Sequence, residues 1–191
     1  MIPHENAYLA GRLLVAMPGI GDPRFERAVI LLCEHDDGHA MGLTVNRPVE
    51  GLTIADLLTR LGVDPGPDAP ADLVLMGGPV EPERGFVLHT RDQGAAAGGI
   101  RVAGGLMLTA SRDILTSLAG TEKRPRRAVM AVGYAGWDAG QLDREIRENV
   151  WLTCEADEAL LFDDDHAHKW SRALAKMGVA PENLSAQPGR A

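Results

Sequence analysis

Aromatic side chains are scarce in this chain of 191 residues: three Trp, two Tyr and three Phe make up 4% of it. A stacking platform for single-stranded nucleic acid needs several exposed rings, so that function has little material here. Most of the core volume must be aliphatic. Cysteine is rarer still. Cys33 and Cys154 are the only two; they lie far apart in apolar surroundings and match no ligand spacing, which favours reduced structural thiols over a disulfide framework or a metal site. Positive charge is short as well: 19 Lys and Arg against 27 Asp and Glu leave a net charge of -8. Such a chain repels phosphate backbones unless its basic side chains are segregated. No apolar run approaches the roughly 20 residues of a membrane helix. The first apolar stretch, Leu13–Met17, is too short for a secretory signal and follows no basic segment. A cytoplasmic protein with no membrane association is expected. The chain also lacks Gly-x-Ser-x-Gly, His-Glu-x-x-His and Gly-x-Gly-x-x-Gly, so no catalytic residue, metal or cofactor is assigned and an enzyme is not the favoured expectation.

What is present reads as strands first and helices later. Leu13–Met17 and Ala28–Cys33 are continuous apolar runs of strand length separated by Gly21-Asp-Pro23. Ala40–Val45, after the turn residues Asp36-Asp-Gly38, is predicted to pair antiparallel with the second run, and Pro48 to close it. Thr53 and Asp56 have capping-box spacing ahead of Leu57, Leu58 and Leu61, with Gly62 as the stop. Residues 63–71 are rich in Pro, Gly and Asp and are expected to form a loop. Short strands are predicted at Leu73–Met76, Phe86–His89, Ile100–Val102, Leu106–Leu108 and Ala128–Val132, with turns at Gly77-Gly-Pro79 and Gly133–Gly136. Gly94–Gly99 reads as a linker. Helices are expected from Ser111 to Gly120, from Gln141 to Trp151, and over Glu155–Leu161 and Asp165–Met177. Strands without strict helix alternation favour an α+β fold. Length favours one domain, residues 1–179, with 180–191 as a flexible tail.

Several clusters have chemical potential. Glu34-His-Asp-Asp-Gly-His39 gathers two imidazoles and three carboxylates, although a solvated hairpin tip explains it as well as a metal does. Lys123-Arg-Pro-Arg-Arg127 is the only basic run; ahead of a strand it reads as a solvated entry, offering weak phosphate contacts and no reader of base edges.

The segments Ala16-Met-Pro18, Asp22-Pro-Arg-Phe25 with Arg27, Cys33-Glu-His35, Met41-Gly42, Asn46-Arg-Pro48, Gly77-Gly-Pro-Val80, Gly85–His89, and Gly133-Tyr-Ala-Gly-Trp137 with Gly140-Gln-Leu142 closely resemble the AlgH family, also called YqgE-like. The resemblance runs in order from about Leu13 to Gly178. It implies a bacterial cytosolic α+β protein whose mixed, largely antiparallel, bulged sheet curls into a partial barrel with flanking helices toward the C-terminus. It also implies a transcriptional regulator, the label its members carry, and supplies no catalytic residues; the acidic charge favours action through a protein partner or a small ligand. The ending, Gln187-Pro-Gly-Arg-Ala191, departs from the Gly-His-Ala close familiar in the family.

A regulatory protein is therefore the leading expectation, and specific DNA binding is not expected. The alternative is a binding protein or enzyme for a small anionic ligand. Its cleft would draw on Arg24, Asn46, Arg47, Gly77, Gly78, Arg84, His89, Gly136, Trp137 and Gln141, where arginines offer bidentate donors and Trp137 an apolar cover. An anion is expected near Gly136–Gln141, at a helix N-terminus, with Arg84 or Arg47 as charge partner. The competing reading, slightly favoured, is that the glycines only permit close packing and that Asp138 caps the helix.

Overall fold

The computed structural model describes residues 8–92, 99–120 and 123–184. Ten strands form one sheet. The first three are β1 (Arg12–Ala16), β2 (Val29–His35) and β3 (His39–Thr44), paired antiparallel in sequence order as expected. Their alternation divides the interior in two: Leu13 and Val15 face one apolar cluster while Leu14 and Ala16 face another. A strand buried on both faces reads as the uninterrupted apolar run seen here.

Pro48 opens a further strand rather than only closing the third: β4 (Pro48–Thr53) pairs with β5 (Leu73–Met76). Between them lies α1 (Ile54–Arg60), whose capping box is complete: Thr53 Oγ1 accepts from the Asp56 amide at 3.1 Å and the Asp56 carboxylate accepts from the Thr53 amide at 3.0 Å. The Thr53 amide and then its hydroxyl, both donating to the Asp56 carboxylate, hold that group below the usual carboxylate range. Next come β6 (Val80–Thr90), β7 (Ile100–Val102), β8 (Leu106–Thr109), α2 (Arg112–Ala119) and β9 (Ala128–Asp138). With a last strand, β10 (Trp151–Glu155), the path of the sheet is β10-β1-β2-β3-β9-β6-β8-β7, and β7 returns beside β2. The largely antiparallel sheet thus curls into a half-barrel; β5 against β9 is a parallel pair.

The chain does not turn at Gly133–Gly136. β9 continues through it to Asp138, and Gly133, at φ +71°, absorbs a local bend where β6 shifts register. The helix from Gln141 also stops early. α3 is Gln141–Arg147, Asn149 takes a left-handed φ of +58°, and Trp151 opens β10 (Trp151–Glu155), which pairs with β1. The spacing of Leu142, Ile146, Val150 and Trp151 mimics a helix that the pairing of Trp151–Glu155 overrides. The chain then forms α4 (Glu158–Phe162), a 3-10 turn at His166–His168 and α5 (Lys169–Lys176), both helices shorter than expected. Pro181–Asn183 makes another 3-10 turn, and Leu184 packs on the core. Most of the predicted linker Gly94–Gly99 and residues 185–191 lie outside the described residues. No described helix is long and apolar enough to cross a membrane.

Candidate functional site

The residues expected to share a cleft separate into three groups. Asn46 and Arg47 follow β3 and clamp the loop before β2. Asn46 accepts from the Val29 amide at 2.9 Å and donates to the Arg27 carbonyl at 2.8 Å. Arg47 donates to the carbonyls of Pro23 and Glu26 at 3.2 and 2.6 Å. Arg24, in that loop, is spent on Asp22 at 2.8 Å, and the Arg24 side chain holds the Asp22 carboxyl below its ordinary range. These three residues build a loop.

A second group is buried structure. His89 is 2% exposed, its Nε2 within 2.9 Å of Thr109 Oγ1 and its Nδ1 within 2.9 Å of the Thr90 carbonyl. Gly77 and Gly78 carry the chain across β9: a Cβ on Gly78 would collide with the backbone of Tyr134, and one on Gly77 with the Gly133 carbonyl. The glycines are required by this crossing of two backbones.

The third group does line a cleft. At the open mouth of the half-barrel, a cavity of about 450 Å³ is bounded by Glu34, Met41, Arg84, Phe86, Tyr134 and Trp137, with Val80 and Gly136 among its other walls. Barrel mouths are a preferred place for ligand sites. Phe86 and Tyr134 meet edge to face at 6.0 Å, and the Arg84 guanidinium lies 5.0 Å from the Phe86 ring centre. Arg84 also reaches Glu81 at 3.4 Å. Burial, then Glu81, push the Tyr134 phenol up. On the rim His39 sits 3.3 Å from Glu34 and 3.2 Å from Asp36, and its hydrogen bond to Glu34 outweighs desolvation to raise its pKa. His35 turns the other way, to Asp143 at 3.4 Å, so the two imidazoles do not converge. Among the described residues no group of three or more His, Cys, Asp or Glu is placed to hold a metal ion. Burial pushes the Cys33 thiol up to about 12, which makes it a poor nucleophile at neutral pH.

The far wall is fixed by a residue the sequence reading passed over. Glu145 on α3 accepts from the indole N–H groups of Trp137 and Trp151 at 3.0 and 2.8 Å and from Gln141 Nε2 at 2.9 Å. One carboxylate thereby ties α3 to β9 and β10, and Trp137 spends its polar edge inward. Glu145 lies four residues beyond Gln141 on the helix; only that spacing hinted at it. Neither account of the helix start holds in full: Gly140 occupies the N-cap with no side-chain cap, and the Asp138 amide donates to Gln141 Oε1 at 3.0 Å. Asp138, Asp143 and Glu145 crowd this end, a surrounding unfavourable to an anion.

Fold and cleft together define an α+β half-barrel protein with a concave, aromatic-walled mouth. The model of the AlgH-like family, DUF179, matches residues 13–182, and the chain belongs to that family. A UPF0301 protein of Caulobacter vibrioides is 61% identical over 187 residues, covering 98% of this chain and 96% of the relative. One from Rhodospirillum rubrum is 44% identical over 191 residues, covering 100% and 98%. The solution structure of the AlgH protein from Pseudomonas aeruginosa superposes with a TM-score of 0.78 at 39% identity, covering both chains fully. A crystal structure from Corynebacterium diphtheriae, 20% identical, covers 90% of this chain and 88% of its own with a TM-score of 0.70 and shares the fold.

Proposed function

We propose that this protein is a regulatory protein that works by holding a small ligand in the barrel mouth, without reading DNA itself. One observation carries this. Segments far apart in the chain, the very ones that resemble the family, supply the walls of a single cleft: Glu34, Met41, Val80, Phe86, Tyr134 and Gly136. Packing alone would not require them to leave a cavity there. The walls suit a ligand with a flat or apolar body and a polar group able to meet both Arg84 and Glu34. Direct DNA reading fits poorly with a charge of -8.

The test is a ligand-observed NMR screen of neutral, cationic and anionic heteroaromatic compounds against the full chain, mapped on the amides of Tyr134–Asp138. Val80 is 36% exposed on the rim, so Val80→Trp should fill the mouth without disturbing the core and abolish binding. Hits that survive Val80→Trp, or a promoter fragment bound specifically at high salt, would overturn the proposal.

A further inference from the structure

A second cleft, of about 700 Å³ against 450 Å³ for the mouth, opens beside the start of β9. Its floor is apolar, with Ile54, Leu75, Leu118, Val129 and Phe162; its rim carries Arg124, Arg126 and Arg127. The only basic run of an acidic chain thus lines a concavity.

The three arginines are committed to different degrees. Arg126 is held by Glu158 through two bonds of 2.7 and 2.6 Å. Arg124 Nη2 donates to the carbonyl of Leu118 at 3.0 Å and to that of Asp68, while its Nε is buried with no acceptor among the described residues. Arg127 is exposed, and its guanidinium makes no hydrogen bond or ion pair among the described residues. Across the cleft stand Asp72, Asp163, Asp164 and His166. Asp163 is neutralised by Arg172 at 2.6 Å, with the ammonium of the fully buried Lys169 4.0 Å away. His166 Nδ1 is a second buried nitrogen with no hydrogen-bond partner among the described residues. The lining therefore has about as much uncommitted positive as negative charge, within a molecule of net charge -8. Its unmet polar capacity includes the Arg124 Nε–H and the Arg127 fork.

We propose that this cleft binds an amphipathic organic anion, a carboxylate or sulfonate on an aliphatic or aromatic body. The acid group takes the Arg127 fork, the pairing for which a planar guanidinium is suited. The body covers Phe162 and the half-exposed Leu73. A bare phosphate would leave that floor wet, and a nucleic acid backbone would meet Asp72 and Asp164 at the rim. The site is separate from the barrel mouth and does not depend on it.

The experiment is an amide chemical-shift titration of the full chain with sodium octanoate, octylammonium chloride and inorganic phosphate as separate probes. Octanoate should give saturable shifts at residues 126–129 and 161–166 with a Kd near or below about 1 mM. Arg127→Gln should weaken it about tenfold. Arg24→Gln, an exposed arginine elsewhere, should leave it unchanged. Absence of saturation, equal binding of octylammonium or phosphate, or insensitivity to Arg127→Gln would each overturn the proposal. Octanoate shifts confined to Tyr134–Asp138 would also overturn it while supporting a ligand in the mouth, so the two readings fail separately.

Discussion

The barrel mouth and the arginine cleft are both concave, and they are held open by different forces. The mouth is walled by strands inside one hydrogen-bonded sheet, pinned where residues 77–78 cross β9 and by the three N–H donors that share Glu145. The arginine cleft is walled by a loop, β5, the entry to β9 and short helices, and ion pairs join the outer pieces: Arg126 to Glu158, Arg172 to Asp163, Lys176 to Asp157. A sheet opens only with global unfolding. Pieces tied by partly exposed charges open locally and respond to salt. The mouth is thus a preformed concavity, whereas the arginine cleft can change shape.

Substitutions at four positions test that contrast, in falling order of effect. Gly78→Ala places a methyl group into the Tyr134 backbone and should cost about 3 kcal/mol or more in urea unfolding, or prevent folding. A loss under 1 kcal/mol would mean that the crossing can relax and the mouth is softer than described. Glu145→Ala leaves two indole N–H groups without their acceptor and should cost about 2–3 kcal/mol. Glu145→Gln should recover part of that. Amide shifts should centre on residues 136–151 and leave 126–129 unmoved; the reverse pattern would break the independence of the two clefts.

Lys169 lies behind the arginine cleft with its ammonium bonded to the Val45 carbonyl at 3.0 Å, and burial lowers it to about 8 from 10.5. Between those values the unfolded chain binds the extra proton, so this group adds stability as pH rises from about 8 towards 10.5, and its cost is fully present below 8. Lys169→Met should remove that rise. The stability of the parent relative to the variant should increase from pH 8 to pH 10, and at pH 7 the two should lie within about 1 kcal/mol, since a well-packed apolar residue can replace a buried charge. A difference that is flat with pH would refute the assignment. Smallest of all, Arg126→Ala breaks a solvent-exposed pair and should leave global stability in urea unfolding nearly unchanged. It should nonetheless speed hydrogen exchange in α4 at low salt, with the gap closing at high salt. Exchange equally slow in both proteins would show that packing, and not charge, holds that wall.

Much of the frame was legible in the chain itself. Leu13–Met17, Ala28–Cys33 and Ala40–Val45 read as neighbouring strands because turn residues separate apolar runs of matched length, and they are neighbours. Thr53 and Asp56 announced α1 because a capping box is wholly local. The helix expected to reach Trp151 ended at Arg147, because pairing of Trp151 with Ala16 across the sheet outweighs a local periodicity. The site divided in the same way. Arg84, Gly136 and Trp137 do line one cleft, whereas Arg24, Asn46 and Arg47 are consumed by a loop and His89 by its own core bonds.

The amino-acid order by itself determined the family, the α+β class and the segments with turn or cap chemistry, since these depend on composition and on neighbours a few residues apart. Which polar groups remain uncommitted was decided only by tertiary structure. Arg47 and Arg127 look alike along the chain, yet the first meets two carbonyls from a distant loop and the second meets none among the described residues. A guanidinium is a candidate for binding only after its internal acceptors are known, and those acceptors are brought to it, or kept from it, by contacts between residues far apart in sequence.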